Sequence, residues 1–250
     1  MANRADVFPA SNDRTPVRYD VAMSIIGDDA PPHGIERLGS ARLATERTLP
    51  LDPVLADLLG VDGLVRGHTV ACRGPAAHSL AVVAAAAAVA MGSWVAVVGV
   101  DGLGVEAMAD AGLPPERLIR IRVAGDGARS WADLCLAALD GFEVLITCPP
   151  ARVPAPVATA IRRRLRARGG CLLVVGDPRG LETDVELLSD GPSWRGVGAG
   201  TGRLDGRRVE VRATGRRVHR GRAASLSLPG SDGRLHGPET HHPVPLLAAV

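Results

Sequence analysis

The sequence predicts an α/β protein with a mostly parallel sheet, helices on both faces and an antiparallel meander at the C-terminal end. Three observations carry this. Short apolar runs such as SWVAVVGVD (Ser93–Asp101), FEVLITC (Phe142–Cys148) and CLLVVGD (Cys171–Asp177) have the composition of strands covered on both sides. Segments of helical length separate them, which demands crossover connections and therefore parallel pairing. After Pro178 that alternation stops, and two strand-like runs flank Asp205-Gly206, a strong hairpin-turn pair.

In chain order, residues 1–20 are polar and Pro-containing and are expected to be disordered. A short apolar patch, Val21–Ile26, is followed by the break GDDAPPHG, and Ile35–Thr48 has the spacing of a surface helix. Residues 1–48 therefore read as an N-terminal extension, 49–229 as the core and 230–250 as a tail. Within the core, a short helix follows Pro53, and HTVACR (His68–Arg73) opens the main series as a strand. Gly74-Pro75 turns the chain into a helix at His78–Met91, which Gly92 stops. The strand Ser93–Asp101 follows, then a short helix at Gly104–Ala111, the strand Leu118–Ala124, and a helix over Ser130–Leu139 with Ser130 as its cap. Strand Phe142–Cys148, helix Pro154–Ala167 and strand Cys171–Asp177 complete the alternation. Residues 179–193 read as loop, and Arg222–Leu228 as the last strand of the meander.

Composition narrows the chemistry. The 250 residues are 46% hydrophobic but only 2% aromatic, so the core is built from Ala, Val and Leu. The formal charge of +2 does not by itself argue for nucleic acid. All 29 basic residues are Arg; with no Lys in the chain, mechanisms that use a phosphate-loop or Schiff-base Lys are excluded. Cys72, Cys135, Cys148 and Cys171 lack the paired short spacing of a zinc site and read as small buried hydrophobes of a reducing compartment. No metal site is expected. The N-terminus lacks the apolar core of a signal peptide, and the run Leu80–Val100 is broken at Gly92-Ser93, so a cytoplasmic protein without a membrane span is expected.

The strand, turn and helix at His68–Ala90 are the setting of a phosphate-cradling P-loop, G-x-x-x-x-G-K-[ST]. Counted from Gly74, through Pro75 and His78, the second Gly position holds Ser79, the Lys position Leu80 and the hydroxyl position Ala81. The scaffold is there without its chemistry. The turn could still hold an anion at the helix N-terminus, or be vestigial.

This order of parts resembles the RecA-type ATPase core, on LPLDPVLADLLGVDGLVRGHTVACRGP (Leu49–Pro75) and the βα series after it. More narrowly, GSWVAVVGVDGLG (Gly92–Gly104), TCPPARVP (Thr147–Pro154) and WRGVGAGTGRLDGRRVEV (Trp194–Val211) resemble the actinobacterial RecA-like mutasome accessory proteins of the ImuA-prime type. The resemblance spans residues 49–229. It implies a RecA-like fold and a role in damage-induced mutagenesis and translesion synthesis. The partners it implies are an ImuB-type Y-family polymerase homologue, through it an error-prone C-family polymerase, and RecA itself. Catalysis does not carry over with it. The strand that in the family ends in a Mg-positioning Asp ends here in Thr147-Cys148, and the water-activating Glu of the family corresponds to a residual acid, Asp101. No catalytic residue, no cofactor and no ATP hydrolysis are expected, and without nucleotide at a subunit interface a monomer is expected.

Other constellations keep alternatives open. Gly102-Leu103-Gly104-Val105-Glu106-Ala107, with Asp126 further on, matches a dinucleotide fingerprint and would suit an NAD(P)-dependent oxidoreductase. It lies on the second βα unit rather than the first. A SulA-like division inhibitor would also resemble a stripped RecA core. Arg162, Arg163 and Arg166 on one helix, with Arg207, Arg208, Arg212, Arg216 and Arg217 in the meander, could contact DNA phosphates or a partner, or form a solvated face. His236, His241 and His242 lie in the tail without accompanying ligands. The terminal apolar run with Val244, Leu246 and Leu247 could dock on the chain's own core or on a partner.

Overall fold

The computed structural model describes residues 24–25, 48–124, 127–197, 202–216, 218 and 221–238. Its strands are β1 (Ser24–Ile25), β2 (Thr48–Leu49), β3 (Leu64–Val65), β4 (Thr69–Arg73), β5 (Val95–Val98), β6 (Leu118–Ile121), β7 (Val144–Thr147), β8 (Cys171–Val175), β9 (Val185–Val197), β10 (Gly202–Gly215) and β11 (Arg222–Ser227). The helices are α1 (Pro53–Leu59), α2 (Ala77–Ala90), α3 (Val105–Asp110), α4 (Gly127–Gly141) and α5 (Ala155–Arg168), with a 3-10 turn at Pro115–Arg117.

Nine strands form one sheet in the order β1-β6-β5-β7-β8-β4-β9-β10-β11, and β2 and β3 pair separately. The five pairings from β6 to β9 are parallel. Both flanks are antiparallel: β10 and β11 at one edge and β1 on β6 at the other. Alternate residues of each central strand face opposite sides. Val95, Val97, Val144, Ile146 and Leu173 join the core beneath α1, α2 and α3. Ala96, Val98, Leu145, Leu172 and Val174 join the core beneath α4 and α5. Continuous apolar strands and two-sided cover are thus the same fact.

Local signals explain most element ends. Asp52 caps α1 by accepting from the Val54 N–H (2.9 Å), and Gly60 closes the helix in the left-handed region at φ +67°. Pro154 precedes α5, and Gly169 ends it at φ +66°. The Ala- and Val-rich α2 is buried on most sides, and its small side chains let it lie against β4, β8 and β9.

Three expectations are corrected. Residues 179–193 are not all loop: β9 begins at Val185 and pairs in parallel with β4 from Val70↔Val185. Gly191, Pro192 and the interspersed acids hide that strand from local pattern, and its pairing with β4 and β10 overrides them. Asp205-Gly206 is not the hairpin turn. It lies inside β10 at a register irregularity between Gly202 and Gly206, and Gly206 is packed near the Pro229 carbonyl. The connection between β9 and β10 falls outside the described residues. Ser130 does not cap α4, which already begins at Gly127.

The expected disorder of residues 1–20 and the helix over Ile35–Thr48 lie outside the described residues, apart from Thr48 in β2. The start of the tail packs on the core: Leu235 is buried, and His236 forms an antiparallel bridge with Ser227. His241, His242, Val244, Leu246 and Leu247 are outside the described residues. Among the described residues no helix is long and apolar enough to cross a membrane, and no cluster of metal-ligating side chains occurs.

Candidate functional site

Where β4 hands over to α2, the turn is short. Gly74 sits at φ +84°, and a Cβ there would lie 2.0 Å from the Ser189 carbonyl oxygen, so only glycine fits against β9. The helix begins at Ala77, and two main-chain donors at its start are engaged within the protein: Ala77 N–H donates to the Gly74 carbonyl (3.1 Å) and Ala76 N–H to Ser189 Oγ (2.9 Å). Ser189 in turn donates to the Arg73 carbonyl (2.8 Å). Leu80 and Ala81, at the positions of the motif's Lys and hydroxyl, are fully buried in the core under α2. Pro75 and Ser79 face a guanidinium.

That guanidinium belongs to Arg207 of β10. Its Nε donates to the Leu228 carbonyl (2.7 Å), Nη2 to Ser79 Oγ (3.0 Å) and Nη1 to the Pro75 carbonyl (3.4 Å), and its Cζ lies over the Trp194 ring, 5.2 Å from the ring centre. All three acceptors are neutral. Burial pulls the Arg207 pKa below its usual value, the expected direction for a cation moved out of water. A charge from the meander therefore stands at the N-terminal end of α2.

The neighbouring strand ends are also committed. His78 Nε2 donates to the Asp101 carbonyl (3.1 Å), while the Asp101 carboxylate is fully exposed, 3.7 Å from Arg120. Thr147 is buried: its hydroxyl accepts from Trp131 Nε1 (2.7 Å) and donates to the Val98 carbonyl (2.8 Å), so it braces α4 against β5. Cys148 is half-buried, and desolvation raises its thiol pKa; the buried thiols of Cys72, Cys135 and Cys171 are pushed up to about 12 for the same reason. All four are thiols rather than thiolates at neutral pH.

The structure brings together two motifs that lie apart in sequence. His78 and Ser79 of α2 and Gly102, Gly104 and Ala107 of the second βα unit line one cavity of about 150 Å³. Ligand pockets for drug-sized molecules span roughly 300–1,000 Å³, so this space is small for a dinucleotide. Asp126, the acid of that fingerprint, lies outside the described residues.

The arginines differ in exposure and partners. Arg162 is tied to Glu182 and to Asp184 (3.1 Å), whose other oxygen accepts from the Thr69 N–H (3.0 Å). Arg207 is buried as described, whereas Arg163, Arg166, Arg212 and Arg216 are exposed and Arg208 is half-buried. Arg217 lies outside the described residues. Sequence reasoning missed Ser189 and Trp194. Neither carries a local signal, because each acts through a pairing with residues far away in the chain.

The chain matches the family of the MT3502 N-terminal domain over residues 57–180. No curated protein matches it. The crystal structure of the RadB recombinase is similar with a TM-score of 0.52 at 16% identity, over 75% of this chain and 97% of that one. The flagellar accessory protein FlaH from Methanocaldococcus jannaschii is similar with a TM-score of 0.51 at 11% identity, over 77% of this chain and 97% of that one. At such identities the likeness is one of architecture, and with the strand order above it establishes that this chain has the RecA-like α/β fold.

Proposed function

We propose that this chain is a non-catalytic RecA-like accessory protein that assembles with a protein partner in damage-induced mutagenesis and translesion synthesis. The partner is an ImuB-type Y-family polymerase homologue, which links the chain to an error-prone C-family polymerase. One observation carries the non-catalytic half of this reading: the turn before α2 is filled by the protein's own groups. Ser189 takes the Ala76 N–H, Arg207 takes Ser79 and Pro75, and Leu80 and Ala81 are buried. A triphosphate there would have to displace a buried guanidinium and would find no Lys. The partner is supported by the resemblance of Gly92–Gly104, Thr147–Pro154 and Trp194–Val211 to the ImuA-prime type.

The fold in this reading is a rigid support that works without nucleotide. The purified chain should bind the purified polymerase homologue equally well with and without MgATP. Millimolar ATP or NAD(P) should leave the thermal midpoint in place, since a ligand of the native state would raise it by mass action. Failure to associate in either order of pull-down removes the partner; phosphate release above the no-protein blank removes the non-catalytic assignment.

A further inference from the structure

α4 and α5 cover the same face of the sheet and are tied together at their C-terminal ends, where the Asp140 carboxylate takes Arg164 and Arg168 (3.0 Å each). Toward their N-terminal ends they part. Between Ala128–Leu136 of α4 and the Pro150–Ala160 stretch that opens α5 lies a cavity of about 420 Å³, in the roughly 300–1,000 Å³ range of small-molecule pockets. It lies beyond the carboxyl end of β7, whose neighbour β5 is followed by a helix on the opposite face, α3. Open α/β sheets hold their ligands at such switch points. Both walls are fixed by bonds made outside the cavity. Trp131 Nε1 donates to Thr147 and braces α4 (2.7 Å). The loop before α5 is pinned by the Val153 N–H on the Arg179 carbonyl (2.7 Å) and by Arg179 Nη1 on the Pro150 carbonyl, with Arg179 itself in the left-handed region at φ +50°.

The lining sets the chemistry of the occupant. Leu136, Val153 and Val157 make it apolar, and Arg129, Arg152 and Asp133 are its charged groups. All three charges are exposed, and none has an ion-pair partner among the described residues. Two guanidinium groups against one carboxylate leave a single net positive charge, which matches a monoanion. The large apolar side chains exposed among the described residues are Met91, Trp194 and Leu204, and none lines this cavity. Apolar surface is therefore confined to the cleft, far short of the about 800 Å² per partner of a stable protein interface. A polynucleotide would leave the apolar walls unused, and one net charge is little for its phosphates. A small molecule with an apolar body and one anionic group uses the whole site.

We propose that the cleft between α4 and α5 binds an apolar small molecule bearing a carboxylate. Its chain lies against Leu136, Val153 and Val157, and its carboxylate is held by Arg129 and Arg152, whose planar donor forks match that group. The site is separate from the turn before α2 and does not depend on the partner-binding reading above.

Isothermal titration of the purified full chain with decanoate tests this, with decanol as the neutral probe and decyltrimethylammonium as the cationic one. The double change Arg129→Gln and Arg152→Gln removes the head-group site. Ala160→Leu, at an exposed lining position of α5, narrows the space, and Arg212→Gln on the exposed side of β10 is the control. Thermal midpoints confirm that each variant is folded. The expected result is one decanoate per chain, bound below the concentration at which decanoate self-associates. Its affinity should fall about tenfold or more in the double arginine variant and in Ala160→Leu, weaken with salt and stay unchanged in Arg212→Gln. Decyltrimethylammonium should not bind. The proposal is overturned if decanoate does not bind, if it binds no more tightly than decanol, or if either cleft variant binds it as well as the wild type. It is also overturned if the cleft variants lose only a protein partner, which would make the cleft a peptide groove.

Discussion

The parallel block is held by apolar burial, and the meander joins it through the same burial with polar links added. From β6 to β4 the strands are almost wholly apolar, and two cores of Val, Leu, Ile and Ala sandwich them. Thr147 is an exception, and its hydroxyl is satisfied twice over. The meander buries an inner row, Val209, Val211 and Ala213, in the same apolar core as α2 and β4, and adds polar links to the block. Asp184 accepts from Thr69, Ser189 bridges Arg73 and Ala76, and Arg207 reaches across to Ser79 and Pro75. The block is secured by burial of area. The joint adds to burial a few hydrogen bonds whose partners are more than a hundred residues apart, and they close over the turn between β4 and α2.

Substitutions can break or sharpen this contrast. The largest effect is expected at Gly74→Ala, where a Cβ meets β9 backbone: a loss of about 4 kcal/mol or more in urea unfolding, because neither backbone can yield cheaply. A mild phenotype there would mean that β9 can lift off. Within the block, Trp131→Ala should cost about 3–5 kcal/mol by removing a buried ring and one of the two hydrogen bonds of the Thr147 hydroxyl. Ser189→Ala at the joint should cost less, about 1–3 kcal/mol, the penalty for an unsatisfied Ala76 N–H. If it matched Trp131→Ala, the distinction between burial and bonding would fail.

Alkali probes the block selectively. The thiols of Cys72, Cys135 and Cys171 have pKa values raised by burial from 9.0 to about 12, so the folded state keeps protons that the unfolded chain releases. Stability from this source is intact below pH 9.0 and is lost as pH rises toward about 12, by about 1 kcal/mol per thiol for each pH unit. Replacing Cys135 by Ala should flatten the fall of the unfolding free energy measured across that range. The smallest effect belongs to Leu204→Ser, within about 0.5 kcal/mol of wild type, because its side chain is exposed.

How much of this could be read beforehand differs between the same two regions. Most strands and helices from Pro53 to Val175 follow from apolar runs and Gly or Pro punctuation, since each signal is local, whereas the cap read at Ser130 failed and the two-residue strand β3 carried no signal. The start of β9 was hidden by Gly191-Pro192 and its acids, and Asp205-Gly206 suggested a turn that the register of β10 does not use. The candidate site divides in the same way. That Leu80 and Ala81 stand where the P-loop pattern has Lys and a hydroxyl is plain from the chain, whereas the contacts of Ser189 and Arg207 at the turn are not.

By itself, then, the sequence determined the α/β class, the order of the parallel units and the absence of any Lys to meet a phosphate. Periodicity and residue chemistry are properties of short segments, so no folding is needed to read them. Only the tertiary structure decided that Arg207 is buried while Arg212 and Arg216 face outward, that His78 and Gly102 share one cavity, and that Trp194 and Leu204 are exposed on β9 and β10. These depend on which distant strands pair and where each pairing ends. Strand partners are chosen by the packing of the whole sheet, which no local stretch encodes.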